Sequence, residues 1–363
     1  DLTHQAAFYN DKVNQAFSTV IASGRYVLGE QVAAFEQEYA QYLGISHCTA
    51  VASGTDALVL ALKVIGIKPG AEVITTPFTA IPTISAIIEA GGKPVFVDVE
   101  KDSCLLDVEK IAGAVTTSTA AIIPVHFFCQ MVDVEQLRKL LPISIPIIED
   151  ACQAHGCRLR GKMAGTLGEL GVFSFYPTKN LGAYGDGGCI VSDNPDYDTK
   201  LRLLRNYGKL TPDNIVLNGI NSRLDEIQAA VLRVKLFDLE RNNERRRQLV
   251  DLYQELLRDL PIELLKIKEN SVANYHVFVV KIKQNRDDLR KYLFNNGIQT
   301  DVFYPYPHHL QPAYEWLGYK PGDFPVAEQL GREVLALPLY PELSEDTIQF
   351  ISETITNFFR RSK

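Results

Sequence analysis

No stretch of the chain approaches the roughly 18 uninterrupted apolar residues of a membrane-crossing helix. The opening DLTHQAAFYNDK has neither the basic nor the apolar block of a signal peptide. It also lacks an initiator Met, so the expectation is a processed or trimmed chain. Basic residues are in deficit, 37 Lys and Arg against 44 Asp and Glu for a net charge of −7. That argues against general nucleic-acid binding, which needs a cationic surface to displace counterions. The six cysteines, Cys48, Cys104, Cys129, Cys152, Cys157 and Cys189, show no CxxC pair. Reduced, buried thiols of a cytoplasmic protein are expected rather than zinc ligands or disulfides. A dinucleotide fingerprint is missing as well, because the nearest string, GTLGELG, has the wrong spacing. GCRLRGKM, Gly156 to Met163, fits GxxxxGK, but Met163 lacks the hydroxyl that a P-loop sets on magnesium, and RGK reads as a hairpin turn. His308 and His309 are adjacent, a poor arrangement for chelating one ion, so no metal site is expected. Repeats and low-complexity segments are absent.

What remains is an ordinary globular composition, 46% hydrophobic and 22% charged over 363 residues, long enough for two domains. Between 45 and 200, apolar β-branched runs alternate with helical patterns. Strands are expected at 47–53, 72–78, 94–99, 120–127, 145–150, 171–176 and 188–193. The runs are continuously apolar rather than alternating, which predicts a mainly parallel seven-stranded sheet buried on both faces, an α/β fold. TDALVLALKVIGI carries Ala57, Leu58, Ala61, Leu62 and Ile65 at helical spacing and stops at Gly66. From Ser222 a long amphipathic pattern runs on with a break, leading into a smaller α+β domain with a strand in YHVFVVKI. The division is placed as 1–238 and 239–363.

Four polar features fall at strand ends, where open α/β sheets place ligands. In SGTDAL, Ser53, Gly54 and Thr55 put backbone N–H groups at a helix start, a site for a phosphate or simply a capped helix. In IPIIEDACQAHG, Asp150 ends an apolar strand, where a carboxylate needs a cationic partner or caps the next turn. Gln153 and His155 follow it. In FSFYPTKNLGAYGDGG, Lys179 lies between an aromatic strand containing Ser174 and four glycines. A lysine so placed is a candidate for desolvation, a depressed pKa and attack on aldehydes; the alternative is a surface lysine in a loop. In GINSRLDEIQAAVL, Asn221 and Arg223 precede a helix that Asn221 or Ser222 would cap. Taken together, an anion cradle, a strand-end Asp and a later lysine in a Gly-rich loop fit pyridoxal 5′-phosphate.

The chain resembles the DegT-type sugar aminotransferases, pyridoxal-phosphate enzymes of fold type I. GRYVLGEQVAAFEQEYAQYLG, SGTDALVLAL, PVFVDVE, IIPVHFFCQMVDV, IEDACQAHG, FSFYPTKNLGAYGDGG, NSRLDEIQAAVL, PHHLQPAYEWLGY and FPVAEQLGREVLALPLYPEL occur in the family's order. The resemblance implies that Lys179 is the Schiff-base lysine and Asp150 the partner of the ring nitrogen. It sets Gln153 beside the phenolic oxygen and Gly54, Thr55 and Ser174 on the phosphate. Asn221 would reach the phosphate across a homodimer interface, and Arg223, Tyr304 and His309 would touch substrate. The implied reaction passes an amino group from glutamate to a keto group of a nucleotide-linked deoxyhexose, at C3 rather than C4. A cyclitol or other ketone as acceptor, or a non-catalytic regulatory relative, is the alternative. Relatives that dehydrate sugars tend to carry histidine at the lysine's position. The chain departs from the family at Ala80, where many relatives place an aromatic ring over the cofactor, and at Cys129 and Cys152, where Gly and Ala are usual.

Overall fold

The computed structural model describes residues 2–361. A four-stranded sheet, in the order His47–Val51, Gly188–Ser192, Leu170–Ser174, Ile148–Asp150, lies beside a three-stranded one, Lys93–Phe96, Glu72–Thr75, Thr119–Ile122. Parallel bridges Ile122 to Ile147 and Val125 to Asp150 join them into one surface. Pairing is parallel except along Gly188–Ser192, which runs antiparallel to both neighbours. Both faces are covered, and successive residues go to opposite sides. Val172 and Ile190 pack with Leu58, Leu62 and Ile87, while Phe173 and Val191 pack with Phe35, Tyr39 and Leu232. Each such side chain contributes roughly 1.5–3 kcal/mol on burial, which is why these strands read as unbroken apolar runs.

The strands are shorter than the apolar runs. Pro124 and Pro146 carry no N–H for a ladder, so the fourth run stops at Ile122 and the fifth begins at Ile148. The long amphipathic stretch breaks as expected: helix Glu226–Leu236 ends before Phe237, 88% exposed, and helix Leu239–Leu257 follows. Beyond it lies an antiparallel sheet of Glu263–Leu264, Phe278–Lys281 and Val334–Leu337. Its core, with Leu249, Tyr253, Val280, Leu335 and Ile355, is continuous with Ile74, Phe78 and Phe127 of the first sheet. RGK is a hairpin turn, Arg160 and Gly161 both at positive φ between Arg158–Leu159 and Lys162–Met163. All six cysteines are unpaired and only Cys152 is not fully buried. Among the described residues no helix is long and apolar enough to cross a membrane.

Candidate active site

Asp150 is the last residue of strand Ile148–Asp150 and only 4% exposed. Such burial is costly for a carboxylate unless donors meet it. Thr83 Oγ1 donates to Oδ2 at 2.8 Å, and the Cys152 N–H donates to Oδ1 at 3.2 Å. Both carboxylate oxygens are therefore held by neutral donors, and the Lys179 amine feels the charge. Burial, and then the Asp150 charge, push the Cys152 thiol well up, so it stays neutral.

Across from this strand end, helix Gly54–Val64 begins. Ser53 caps it by accepting from the Asp56 N–H at 3.0 Å, so the cap reading holds. The cap leaves the earliest N–H groups of the helix, at Gly54 and Thr55, without intrahelical partners. A Cβ on Gly54 would stand 2.7 Å from Ser174 Cβ and 3.2 Å from Cys152 Sγ. Only glycine lets the helix start close on Ser174, so Gly54, Thr55 and Ser174 converge on one place.

Lys179 sits in a loop that folds back on itself. The Lys179 N–H donates to Tyr176 O at 2.8 Å, and Phe175 pairs with Gly187 and Ala183 at 2.7 and 2.8 Å. A Cβ on Gly182 would lie 2.4 Å from Pro177 O. Behind the loop, buried Lys235 donates to Gly182 O at 2.8 Å and Gln5 Oε1 at 2.7 Å, with its ammonium 4.3 Å from the Tyr184 ring centre. Burial lowers the Lys179 pKa against an opposing pull from the Asp150 charge. The amine opens on a cavity of about 940 Å³, lined also by Phe128, Gln153, His276 and Tyr304. The Gln153 amide is oriented by Phe128, whose N–H donates to Oε1 at 3.0 Å. Its NH2 group is the end left to donate to a ligand. Burial pushes the Tyr304 hydroxyl up to about 12, with the Asp150 charge adding to the effect.

The structure thus gathers Lys179, Asp150, Gln153, Gly54, Thr55, Ser174 and Tyr304. Asn221 and Arg223 stand apart from the cavity. Asn221 is exposed and bridges to Asn206, and Arg223 Nη1 donates to Asn206 Oδ1 at 3.2 Å. The serine between them ties this segment to the cradle, since Ser222 Oγ donates to Asp56 Oδ2 at 2.6 Å. His309 is buried against Phe324, and its Nε2 lies 3.1 Å from Glu328 Oε1, so its ring does not line the cavity. Phe78 points into the core, toward Phe127 and Phe128. Sequence reasoning missed Thr83 and a buried amide chain. Asn180 donates to Asn243 Oδ1 at 2.7 Å and to Asn274 O at 2.9 Å, and Asn274 donates to Gln153 O at 2.8 Å. Asn180 adjoins Lys179 in its motif, and that adjacency is the one signal that could have found the chain of amides.

These residues fit pyridoxal phosphate: an amine of lowered basicity, a fixed carboxylate, an oriented amide and a cradle that any Cβ would fill. The chain matches the model of the DegT/DnrJ/EryC1/StrS aminotransferase family over residues 9–356. It belongs to that family. A dTDP-3-amino-3,4,6-trideoxy-alpha-D-glucose transaminase of Micromonospora megalomicea is 40% identical, with 94% of each chain covered. A pleiotropic regulatory protein of Geobacillus stearothermophilus is 40% identical over 99% of this chain and 98% of its own. Among solved structures, S. venezuelae DesV in complex with a ketimine intermediate superposes with a TM-score of 0.96 at 40% identity, covering 99% of this chain and 97% of its own. NtdA of Bacillus subtilis with bound cofactor PMP gives 0.88 at 30% identity, over 95% and 82%. The fold is thus that of the fold type I enzymes of this family.

Proposed function

We propose that the protein is a pyridoxal-phosphate-dependent aminotransferase that moves an amino group from glutamate to C3 of a keto sugar carried on a nucleoside diphosphate. The observation that carries this reading is Lys179 itself. An enclosed amine of lowered pKa opens on a large cavity beside Asp150, Gln153 and Tyr304. The C3 preference is supported by the transaminases of 3-amino sugars among the relatives.

Bound pyridoxal phosphate supplies a reactive aldehyde and a ring that accepts electrons. The chain does the rest. Asp150, its oxygens fixed by Thr83 and the Cys152 N–H, keeps a proton on the ring nitrogen. Gly54, Thr55 and Ser174 hold the phosphate at a helix start. Lys179 carries the covalent attachment. Its amine would also accept and return the proton of the substrate carbon; lowered basicity leaves more of it neutral near pH 7. A homodimer completes the site, with residues 1–238 as the larger lobe and 239–363 as the smaller. Asn221 and Arg223 serve the partner's site. They follow an exposed hairpin whose Leu210 and Ile215 are 60% and 64% exposed, an apolar tip for a second copy to cover.

A panel of 3-keto and 4-keto nucleotide sugars with glutamate, scored by mass spectrometry, tests the reading. Amination of 3-keto acceptors is expected; amination of 4-keto acceptors alone moves the site of transfer, and none at all removes the function. The regulatory name of one relative supports a second reading, a non-catalytic protein on the same fold. That reading requires a chain that turns over no acceptor even when loaded with cofactor.

A further inference from the structure

The cavity that opens at Lys179 extends to a second cationic group. Arg246, on helix Leu239–Leu257, lines it and is 6% exposed. It is the middle of three consecutive arginines. Arg245 pairs with Glu345 at 3.0 Å and Arg247 with Glu244 at 2.6 Å. Among the described residues no carboxylate is within ion-pair distance of Arg246. Its Nη1 donates to the carbonyls of Tyr275 and Leu339, each at 3.2 Å, and its Nε is buried without a partner. Glu342, also on the cavity wall, acts on it only from a distance. A guanidinium buried on two carbonyls alone is costly and has strong affinity for an anion.

His276 links this end of the cavity to the other. It lines the same wall, and its Nδ1 is buried without a partner. Burial first, then the charges of Lys179 and Arg246, hold its ring neutral. Both cations therefore act on one imidazole. Gly54 and Ser174 do not line this cavity, so Arg246 is not committed to the cofactor's phosphate.

We propose that Arg246 anchors the side-chain carboxylate of a dicarboxylic amino donor, with His276 as a neutral N–H donor beside it. The proposal rests on the aminotransferase reading and names the residue that would recognise its dicarboxylic donor. The carbon that loses the amino group must reach Lys179, and its own carboxylate stays next to it. The carboxylate at the far end of the side chain is the one able to extend toward Arg246.

The test is the first half-reaction of the holoenzyme, followed by loss of the visible absorbance of bound cofactor on mixing with L-glutamate or L-glutamine. The two donors have the same length and differ in side-chain charge. In Arg246→Gln the ratio of kcat/KM for glutamate over glutamine should fall about 30-fold or more, carried by KM, the loss expected for a buried charged hydrogen bond. Arg246→Lys should keep part of the ratio. Glutarate, a dicarboxylate that cannot react, should bind the wild-type holoenzyme calorimetrically and bind Arg246→Gln at least about 30-fold more weakly. An equal loss on both donors would make the guanidinium purely structural and overturn the assignment. A loss confined to amination of the keto sugar nucleotide, started from enzyme loaded with pyridoxamine phosphate, would hand Arg246 to the acceptor's diphosphate and overturn it too. Should Arg246→Gln not fold, absence of glutarate binding to wild type, or an unchanged ratio in Arg246→Lys and in His276→Phe together, sinks the proposal. If neither amino acid bleaches wild-type enzyme, the aminotransferase reading itself fails.

Discussion

The cradle side of the site and the cavity that runs on from Lys179 are built differently. At the cofactor end, Asp150 and Gln153 come from one strand end, Ser174 and Lys179 from the next strand and its loop, and Gly54 and Thr55 from one helix start. Each group lies within a few residues of another in the chain, so a motif records it. In the cavity beyond Lys179, Arg246, His276 and Tyr340 come from separate elements more than 20 residues apart in sequence, brought together by packing. The lesson is that sheet-edge sites write themselves into short strings, whereas sites closed by a second lobe do not.

Lys179→Ala should give the largest effect at the motif-built end. Turnover should fall about 10³-fold or more, while the cofactor still binds without a covalent link. Normal turnover would remove the amine from the chemistry and erase the distinction between the two ends.

Lys235→Met probes the support behind that amine through pH. Burial lowers the Lys235 pKa from 10.5 to about 8, against a raising pull from Glu342. The folded chain therefore holds fewer protons than the unfolded chain between those values. The stability of wild type relative to Lys235→Met should rise with pH across 8 to 10.5, by about 3 kcal/mol at most, and be flat below 8. Denaturant titrations at a series of pH values check it; a difference that falls with pH contradicts the lowered pKa.

Gly54→Val should fill the cradle. With Ser174 Cβ only 2.7 Å from the new Cβ, cofactor affinity should weaken by about 1–3 kcal/mol, read by fluorescence titration. Unchanged affinity would place the phosphate elsewhere. Thr83→Val should have the mildest effect, about tenfold on kcat, through loss of one hydrogen bond to Asp150. The pH profile of kcat should shift with it if, as proposed, Asp150 holds the proton on the ring nitrogen. A fall in stability alone would make Thr83 a packing residue.

Much of the fold was legible because burial on both faces leaves a plain signal: seven apolar runs became seven strands, and the break after Leu236 was visible in the pattern. Strand ends were less legible, since Pro124 and Pro146 remove ladder donors inside runs that remain apolar. Within the site, Gly54 stood out because SGTDAL sets small residues at a helix start; its close approach to Ser174 is visible only in the fold. Thr83 was not readable: a threonine in the apolar helix Ile81–Glu89 looks the same whether its hydroxyl meets a carboxylate or a backbone carbonyl. His309 is a different case. The resemblance set it at substrate; in the fold its ring meets Glu328, 19 residues later, a contact that no short string records.

The most direct measurement is borohydride reduction of the yellow holoenzyme followed by peptide mass mapping. The account predicts a single pyridoxyl adduct on Lys179. An adduct on another lysine, or none on enzyme that still binds the cofactor, would contradict it.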